Sequence, residues 1–212
     1  MEEVNDMESR ILEAAKSVFV SKGYEATKMR DVAAKVGISR TAMHYYFRTK
    51  EMLFEAIFGQ LIGSLLPDID AMMREGTTIL EKLPGIIQAY MSALEKNPLF
   101  PIFVINEMNR DPEHLYRAVV KNSVRIEPVI RLKRQISEEV EKGALKNVSL
   151  MDISSTLLGL IVFPLLVRHP LTTLFAGGDS QAFDDFYVRR RALAYEVMYR
   201  LLAPDKTENK QP

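Results

Sequence analysis

Apolar residues recur at intervals of three and four along almost the whole chain, and no stretch keeps the two-residue alternation of a half-buried strand. The pattern predicts an all-α fold. A first helix runs from about Asp6 to Lys22, with Asn5 and Glu8 placed as a capping box and Ile11, Leu12, Ala15, Val18 and Phe19 on one stripe, until Gly23 stops it. Thr27 can cap a short second helix in which Met29, Val32, Ala33 and Val36 repeat at helical spacing, and Gly37 ends it. Ser39 opens a third helix, with Ile38 and Met43 spaced as a hydrophobic staple. Met43 and Phe47 make the buried side of that helix, while Arg40, Thr41, His44 and Tyr45 share the opposite one.

Thr49 begins a longer fourth helix toward Leu66, which Pro67 is expected to break or redirect. Further helices follow at about 68–74, 79–96 with a perturbation at Pro84, 101–109, and 112–142 with a kink at Pro128. Ser149 and Asp152 can open a helix to about Arg168, His169 to Gly178 reads as a loop, and Asp179 or Ser180 can cap a last helix from Gln181 to Leu202. The expected organisation is a head over residues 1–50, a helical body over 51–204, and a disordered tail over 205–212.

Composition narrows the class. The 212 residues and 24.2 kDa suit one domain or two small ones, and 47% apolar with 26% charged residues is globular composition. Without cysteine there are no disulfides, thiolate metal sites or cysteine nucleophiles. The longest apolar run, Leu157 to Val167, contains Pro164 and falls short of the roughly 20 residues that cross a bilayer. The acidic start Met-Glu-Glu-Val-Asn-Asp does not look like a secretory signal, so a cytoplasmic protein with no membrane partner is expected.

Net charge is zero, but it is unevenly placed. From Ala26 to Lys50 six basic residues (Lys28, Arg30, Lys35, Arg40, Arg48, Lys50) stand against Asp31 alone, so the segment carries +5 and the remainder −5. That distribution suits an anion-facing head on an acidic body; a solvated helical face is the plainer alternative. Two short helices joined through Gly37-Ile38-Ser39 and flanked by supporting helices make a helix-turn-helix, whose second helix offers Arg40 or Thr41 to base edges in a DNA major groove.

The order of residues from Ala26 to Leu53, ATKMRDVAAKVGISRTAMHYYFRTKEML, resembles the signature of the TetR family of bacterial transcriptional regulators, and the resemblance covers about Ser9 to Phe58. It implies that Thr27, Lys28, Tyr46 and Lys50 contact phosphates, while Arg40, Thr41 and Tyr45 face bases or the adjoining backbone. His44 departs from the pattern, standing where many members have tyrosine, and joins the DNA-facing set with a less secure contact. Thr27 and Thr49 also lie at helix starts, where free N–H groups favour anions; ordinary capping is the alternative and is compatible with phosphate binding.

The resemblance further implies a body that binds a small molecule and forms a homodimer through its last two long helices, here Asp152 to Val167 and Phe183 to Leu202. The stripes Ile153, Leu157, Leu160, Ile161, Pro164 and Phe186, Tyr187, Arg190, Ala194, Val197, Met198, Leu201 would make that interface, or else fill the core of one copy. Ile87, Tyr90, Met91, Leu94, Phe103, Asn106, Glu107, Arg110, Tyr116 and Phe163 are the candidate ligand contacts, favouring an apolar or amphipathic effector, though residues at such spacing are also ordinary core. The expected function is a ligand-responsive repressor on a palindromic DNA operator; a DNA-bound adaptor that recruits a protein and has no effector is the alternative. An enzyme is not expected, because His44, His114 and His169 are isolated in the sequence and neither a nucleophile elbow nor a phosphate loop is present. No cofactor or metal is called for.

Overall fold

The computed structural model describes residues 2–121 and 127–205. Among these residues the regular structure is helical: α1 (Glu2–Ala26), α2 (Met29–Val36), α3 (Arg40–Tyr46), α4 (Lys50–Arg74), α5 (Ile79–Lys96), α6 (Phe100–Arg110), α7 (Pro112–Lys121), α8 (Glu127–Glu141), α9 (Leu150–Ile161), α10 (Phe163–Leu166), α11 (Arg168–Phe175) and α12 (Ser180–Leu202). They form two compact units that interleave in sequence, residues 1–64 with 97–125, and residues 65–96 with 126–212. Helices α6 and α7 thus belong with the amino-terminal helices. The expected tail lies, beyond Asp205, outside the described residues.

The first unit is organised by the stripe read from α1. Ile11, Leu12, Ala15, Val18 and Phe19 are buried against Val32, Ala33, Met43, Phe47, Leu53, Phe54 and Ile57, with Phe100, Phe103 and Ala118 from α6 and α7 closing the core. Gly23 stops the first helical run, with φ 77 and ψ 165, before a final turn to Ala26. Asn5 lies inside α1 rather than ahead of it, so it does not stand at the helix start expected of it.

The second unit packs α5 against α8, α9 and α12. Ile79, Leu83, Ile87, Met91 and Leu94 of α5 meet Ile136, Ile153, Ile161, Phe183, Tyr187, Ala194, Met198 and Leu202. The start of α5 is closed by the buried Glu139 of α8, whose two carboxylate oxygens each accept from the Ile79 N–H at 3.1 Å. Beside it a cleft of about 510 Å³ is walled by the 75–78 turn and by Arg131, Arg134, Gln135, Glu138 and Lys142.

The prolines behave differently from expectation. Pro67 does not break α4, which continues to Arg74. An interior proline costs about 3 kcal/mol, whereas burying the neighbouring Leu65, Leu66 and Ile69 returns roughly 1.5 to 3 kcal/mol each. Pro84 is likewise carried inside α5. Of the helix expected over 112–142, α7 (Pro112–Lys121) and α8 (Glu127–Glu141) are helical, and residues 122–126, just before Pro128, lie outside the described part. Pro164 sits in the first turn of α10 and Pro170 in that of α11, so the span expected as one helix to Arg168 is divided and the loop expected from His169 is mostly helix.

By length and composition α4 could cross a membrane. Its apolar side is occupied within the protein: Leu53, Phe54, Ile57 and Phe58 are core residues of the first unit, and Leu65, Leu66 and Ile69 are buried as well.

Candidate nucleic-acid interface

The turn between α2 and α3 is fixed by backbone bonding. Gly37 adopts the left-handed conformation (φ 80, ψ 30); its N–H reaches the carbonyl of Ala34 at 3.3 Å, and the Ile38 N–H that of Ala33 at 3.0 Å. These are the two bonds of a Schellman motif, which turns the chain and satisfies carbonyls that the helix end leaves free. Ser39 then caps α3, its Oγ accepting from the Ala42 N–H at 3.1 Å. Met43 is fully buried, Ile38 packs against the same core, and the orientation of α3 is thereby set.

Burying Met43 and Phe47 turns the other side of α3 to solvent. Arg40, Thr41 and Tyr45 are exposed, Tyr45 to 78%, and His44 is half-buried. Tyr46 is half-buried against the core, its ring edge-on to Tyr45 with centroids 5.3 Å apart. The face combines a guanidinium, a hydroxyl and a phenol with no charge of opposite sign on the same helix, which suits base edges and phosphates.

The flanking positions differ in part from expectation. Lys28, not Thr27, is the residue ahead of α2; its N–H donates to the Asp31 carboxylate at 3.2 Å. Thr27 is buried and its hydroxyl donates to the Gly23 carbonyl at 2.7 Å, so it braces the bend after α1 and does not cap α2. The reason is geometric: the non-helical Gly23 exposes a carbonyl that needs a donor. Asp31 also pairs with Lys22 at 3.2 Å; the bond from the Lys28 amide, with the Lys22 charge, holds its carboxyl below the ordinary range. Thr49 does cap α4, its Oγ1 accepting from the Met52 N–H at 3.1 Å. The Lys50 ammonium donates to the carbonyls of Tyr24 at 2.7 Å and Glu25 at 3.2 Å and lies 4.2 Å from the Tyr24 ring centroid, so it is anchored to the end of α1.

A buried ionic cluster in the same unit was invisible in the sequence. His114 of α7 and Glu107 of α6 are both 3% exposed. His114 Nδ1 faces Glu107 Oε1, Nε2 lies 2.8 Å from Glu51 Oε2, and the Tyr24 hydroxyl donates to the same Glu51 oxygen at 2.8 Å. Arg110 holds Glu107 through Nε at 2.9 Å and through Nη2, and pairs with Glu25 at 2.6 Å. The His114 ring stacks on Phe54 at 4.3 Å. Burial pushes the Glu51 carboxyl up, but hydrogen bonds from Tyr24 and His114 and the nearby positive charges outweigh it and hold the group below the usual range. Burial, then the bond to Glu51, drives the Tyr24 phenol well above its ordinary value. His114 was isolated in the sequence; the signal that could have joined it to Glu107 and Arg110 is their spacing of three and then four residues across the α6–α7 corner.

The ten ligand candidates divide between the units. In the first, Phe103 is core, Glu107 and Arg110 are spent on the ionic cluster, and Asn106 and Tyr116 are exposed. In the second, Ile87, Met91 and Leu94 are buried, Tyr90 is half-buried with its hydroxyl pushed up by burial, and Phe163 is exposed. Neither the 510 Å³ cleft nor a second one of about 340 Å³ between α11 and α12 is lined by any of them.

The two stripes weighed as a dimer interface pack inward. Ile153, Ile161, Tyr187, Ala194 and Met198 are core, with Leu157, Leu160, Phe186 and Leu201 against them, and Arg190 Nε donates to the Leu160 carbonyl at 3.1 Å. Exposed apolar residues run along other faces of the same helices: Met151 and Leu158 on α9, and Val188, Tyr195 and Tyr199 on α12 at spacings of seven and four.

Comparison with known proteins agrees with this geometry. Residues 11–57 match the profile of bacterial regulatory proteins of the tetR family. The chain is 29% identical over 85 residues to the HTH-type transcriptional repressor KstR2 of Mycolicibacterium smegmatis, covering 40% of this chain and 42% of that protein. It is 22% identical over 152 residues to the HTH-type transcriptional activator FasR of the same organism, covering 71% and 69%. The chain thus spans less than half the length of KstR2. These relatives are transcriptional regulators rather than enzymes. The crystal structure of a TetR family transcription regulator from Marinobacter aquaeolei superposes with a TM-score of 0.66 at 18% identity, over 97% of this chain and all of that one, which shows a shared fold. The helix-turn-helix of residues 29–46 thus lies inside the stretch that matches the profile of bacterial regulatory proteins of the tetR family.

Proposed function

We propose that the protein is a DNA-binding transcriptional regulator that works as a homodimer on a palindromic operator in the cytoplasm, represses by occupying a promoter, and is released by a small molecule. The observation that carries this reading is the exposed Arg40, Thr41 and Tyr45 face of α3, held at a fixed angle by the Gly37 turn, the Ser39 cap and the buried Met43. In the major groove the Arg40 guanidinium would pair with the two acceptors of a guanine edge, and Thr41 and Tyr45 would meet neighbouring bases or backbone. Lys28, Tyr46, Lys50 and the free amides at the starts of α2 and α4 would take phosphates, with His44 at the margin. Thr27 would support that contact only through the bend it braces.

Two copies are needed because recognition helices must enter successive grooves about 34 to 36 Å apart. The exposed apolar faces of α9 and α12, with Met151, Leu158, Val188, Tyr195 and Tyr199, supply the surface for pairing. The effector would be apolar or amphipathic and received beside α5, the helix that carries Tyr90 and Met91. On α5 the buried Gln88 Oε1 is without a hydrogen-bond partner, so a ligand donor could satisfy it. The test is selection of genomic fragments by the purified protein, followed by footprinting. The reading expects an enriched palindrome protected over two half-sites; enrichment no greater than that of bulk DNA would overturn it.

A further inference from the structure

A buried imidazole with a carboxylate at each nitrogen is more than packing requires. Among the groups packed around His114, Glu107 and Arg110 come from α6, Glu51 and Lys50 from α4, Tyr24 and Glu25 from the end of α1, and Asp111 and Arg117 from the start of α7. Neutral imidazole carries one N–H and can donate to only one of the two carboxylates; imidazolium donates to both. The geometry also provides for the neutral form, because Arg110 Nη2 lies 2.9 Å from Nδ1 and can donate to it once the proton is gone. The cluster therefore has two arrangements. With the proton, Glu107 of α6 and Glu51 of α4 are tied through one ring. Without it, Nδ1 accepts from Arg110, the tie to Glu107 is lost, and the bond to Glu51 is made by a neutral imidazole N–H and no longer has the attraction of a full positive charge on the ring.

Glu51 stands in the first turn of α4, next to Lys50 and two residues after the Thr49 cap, and it also receives the Tyr24 hydroxyl. Tyr24 in turn lends its carbonyl and ring to the Lys50 ammonium. The same few contacts thus fix the junction of α1 with α4, where Thr49 and Lys50 would meet the DNA backbone. We propose that His114 is a proton-linked positioning residue for DNA binding: protonated, it clamps the first turn of α4 against α6 and raises operator affinity, and loss of the proton loosens that turn and lowers affinity. This rests on the DNA-binding reading given above. Among side chains, imidazole is the one that ordinarily changes charge between about pH 5 and 8.

The experiment uses the full chain at constant ionic strength between pH 5.5 and 8.5. Anisotropy on a selected genomic fragment reads affinity, while long-range ¹⁵N spectra of the imidazoles and amide exchange at Met52 and Leu53 read the cluster without DNA. Native protein is expected to lose about tenfold in affinity as pH rises, which corresponds to about 1.4 kcal/mol. Both His114 nitrogens should be protonated at the acid end, and protection of Met52 and Leu53 should fall as the proton leaves. His114→Gln should be flat with pH, and Glu51→Gln, on the half-exposed partner, should flatten the curve even if the buried variant folds poorly. A flat native curve overturns the proposal, as does pH dependence that survives in His114→Gln but disappears in His44→Gln. If no DNA is bound at any pH, the function proposed above falls; the spectra and exchange then decide the clamp, and a His114 ring with a single protonated nitrogen throughout overturns it.

Discussion

Replacing Gly37 with alanine isolates what the recognition turn costs. At φ 80 and ψ 30 the residue is left-handed, and a Cβ built there meets nothing within 4 Å. Steric collision with neighbours therefore contributes nothing, and the penalty is that of holding an L-residue in the left-handed region, about 1 to 2 kcal/mol. Asparagine visits that region more readily and should lose less. Because the protein has two units, a single denaturation midpoint would blur the effect; amide exchange at Val32 and Met43 reads opening of the first unit directly. Gly37→Ala should lower the exchange free energy of those two amides by about 1 to 2 kcal/mol and leave those of Ile153 and Met198 in the second unit unchanged. An unchanged value at Val32 and Met43 would refute a left-handed Gly37. A loss above about 4 kcal/mol would refute the open space around it.

Other perturbations separate the remaining claims. Lys28→Ala should weaken operator and random DNA alike and reduce the salt slope by about one, measured by titrations across a salt series; an unchanged slope removes Lys28 from the phosphate contacts. Tyr195→Glu, which places charge on the exposed face of α12, should shift sedimentation from dimer toward monomer while leaving the helical circular dichroism intact, and a persisting dimer would move the interface elsewhere. The Glu51 carboxyl is held low in the folded protein, so its stabilisation is present above the unfolded value of about 4.3 and is lost as pH falls through the lower folded value. Thermal unfolding followed from pH 7 to pH 3 should therefore show a smaller acid loss in Glu51→Gln than in the native chain.

Local chemistry carried much of the architecture into the sequence. The Gly37 turn, the Ser39 and Thr49 caps, the Ile38–Met43 pair and the stripe on α1 depend on residues a few positions apart, and each stands where its spacing placed it. What spacing could not show was decided by partners distant in sequence. Pro67 stays helical because Leu65, Leu66 and Ile69 are buried, and Thr27 serves the Gly23 carbonyl because the chain bends there. On α9 and α12 more than one face is apolar, and periodicity alone does not say which one meets the core; contact with α5 does. Glu107, Arg110 and His114 read as separate polar residues until α6 and α7 are brought against Tyr24 and Glu51, and only then do their charges find one another.

The central claim is that α3 reads base edges through its exposed face. It is tested most directly by measuring native protein and Arg40→Ala side by side on a selected operator and on random DNA at one salt concentration. The substitution should cost about 1 to 3 kcal/mol on the operator and much less on random sequence, relaxing discrimination at one base position in each half-site. Equal losses on both DNAs would contradict base reading by Arg40.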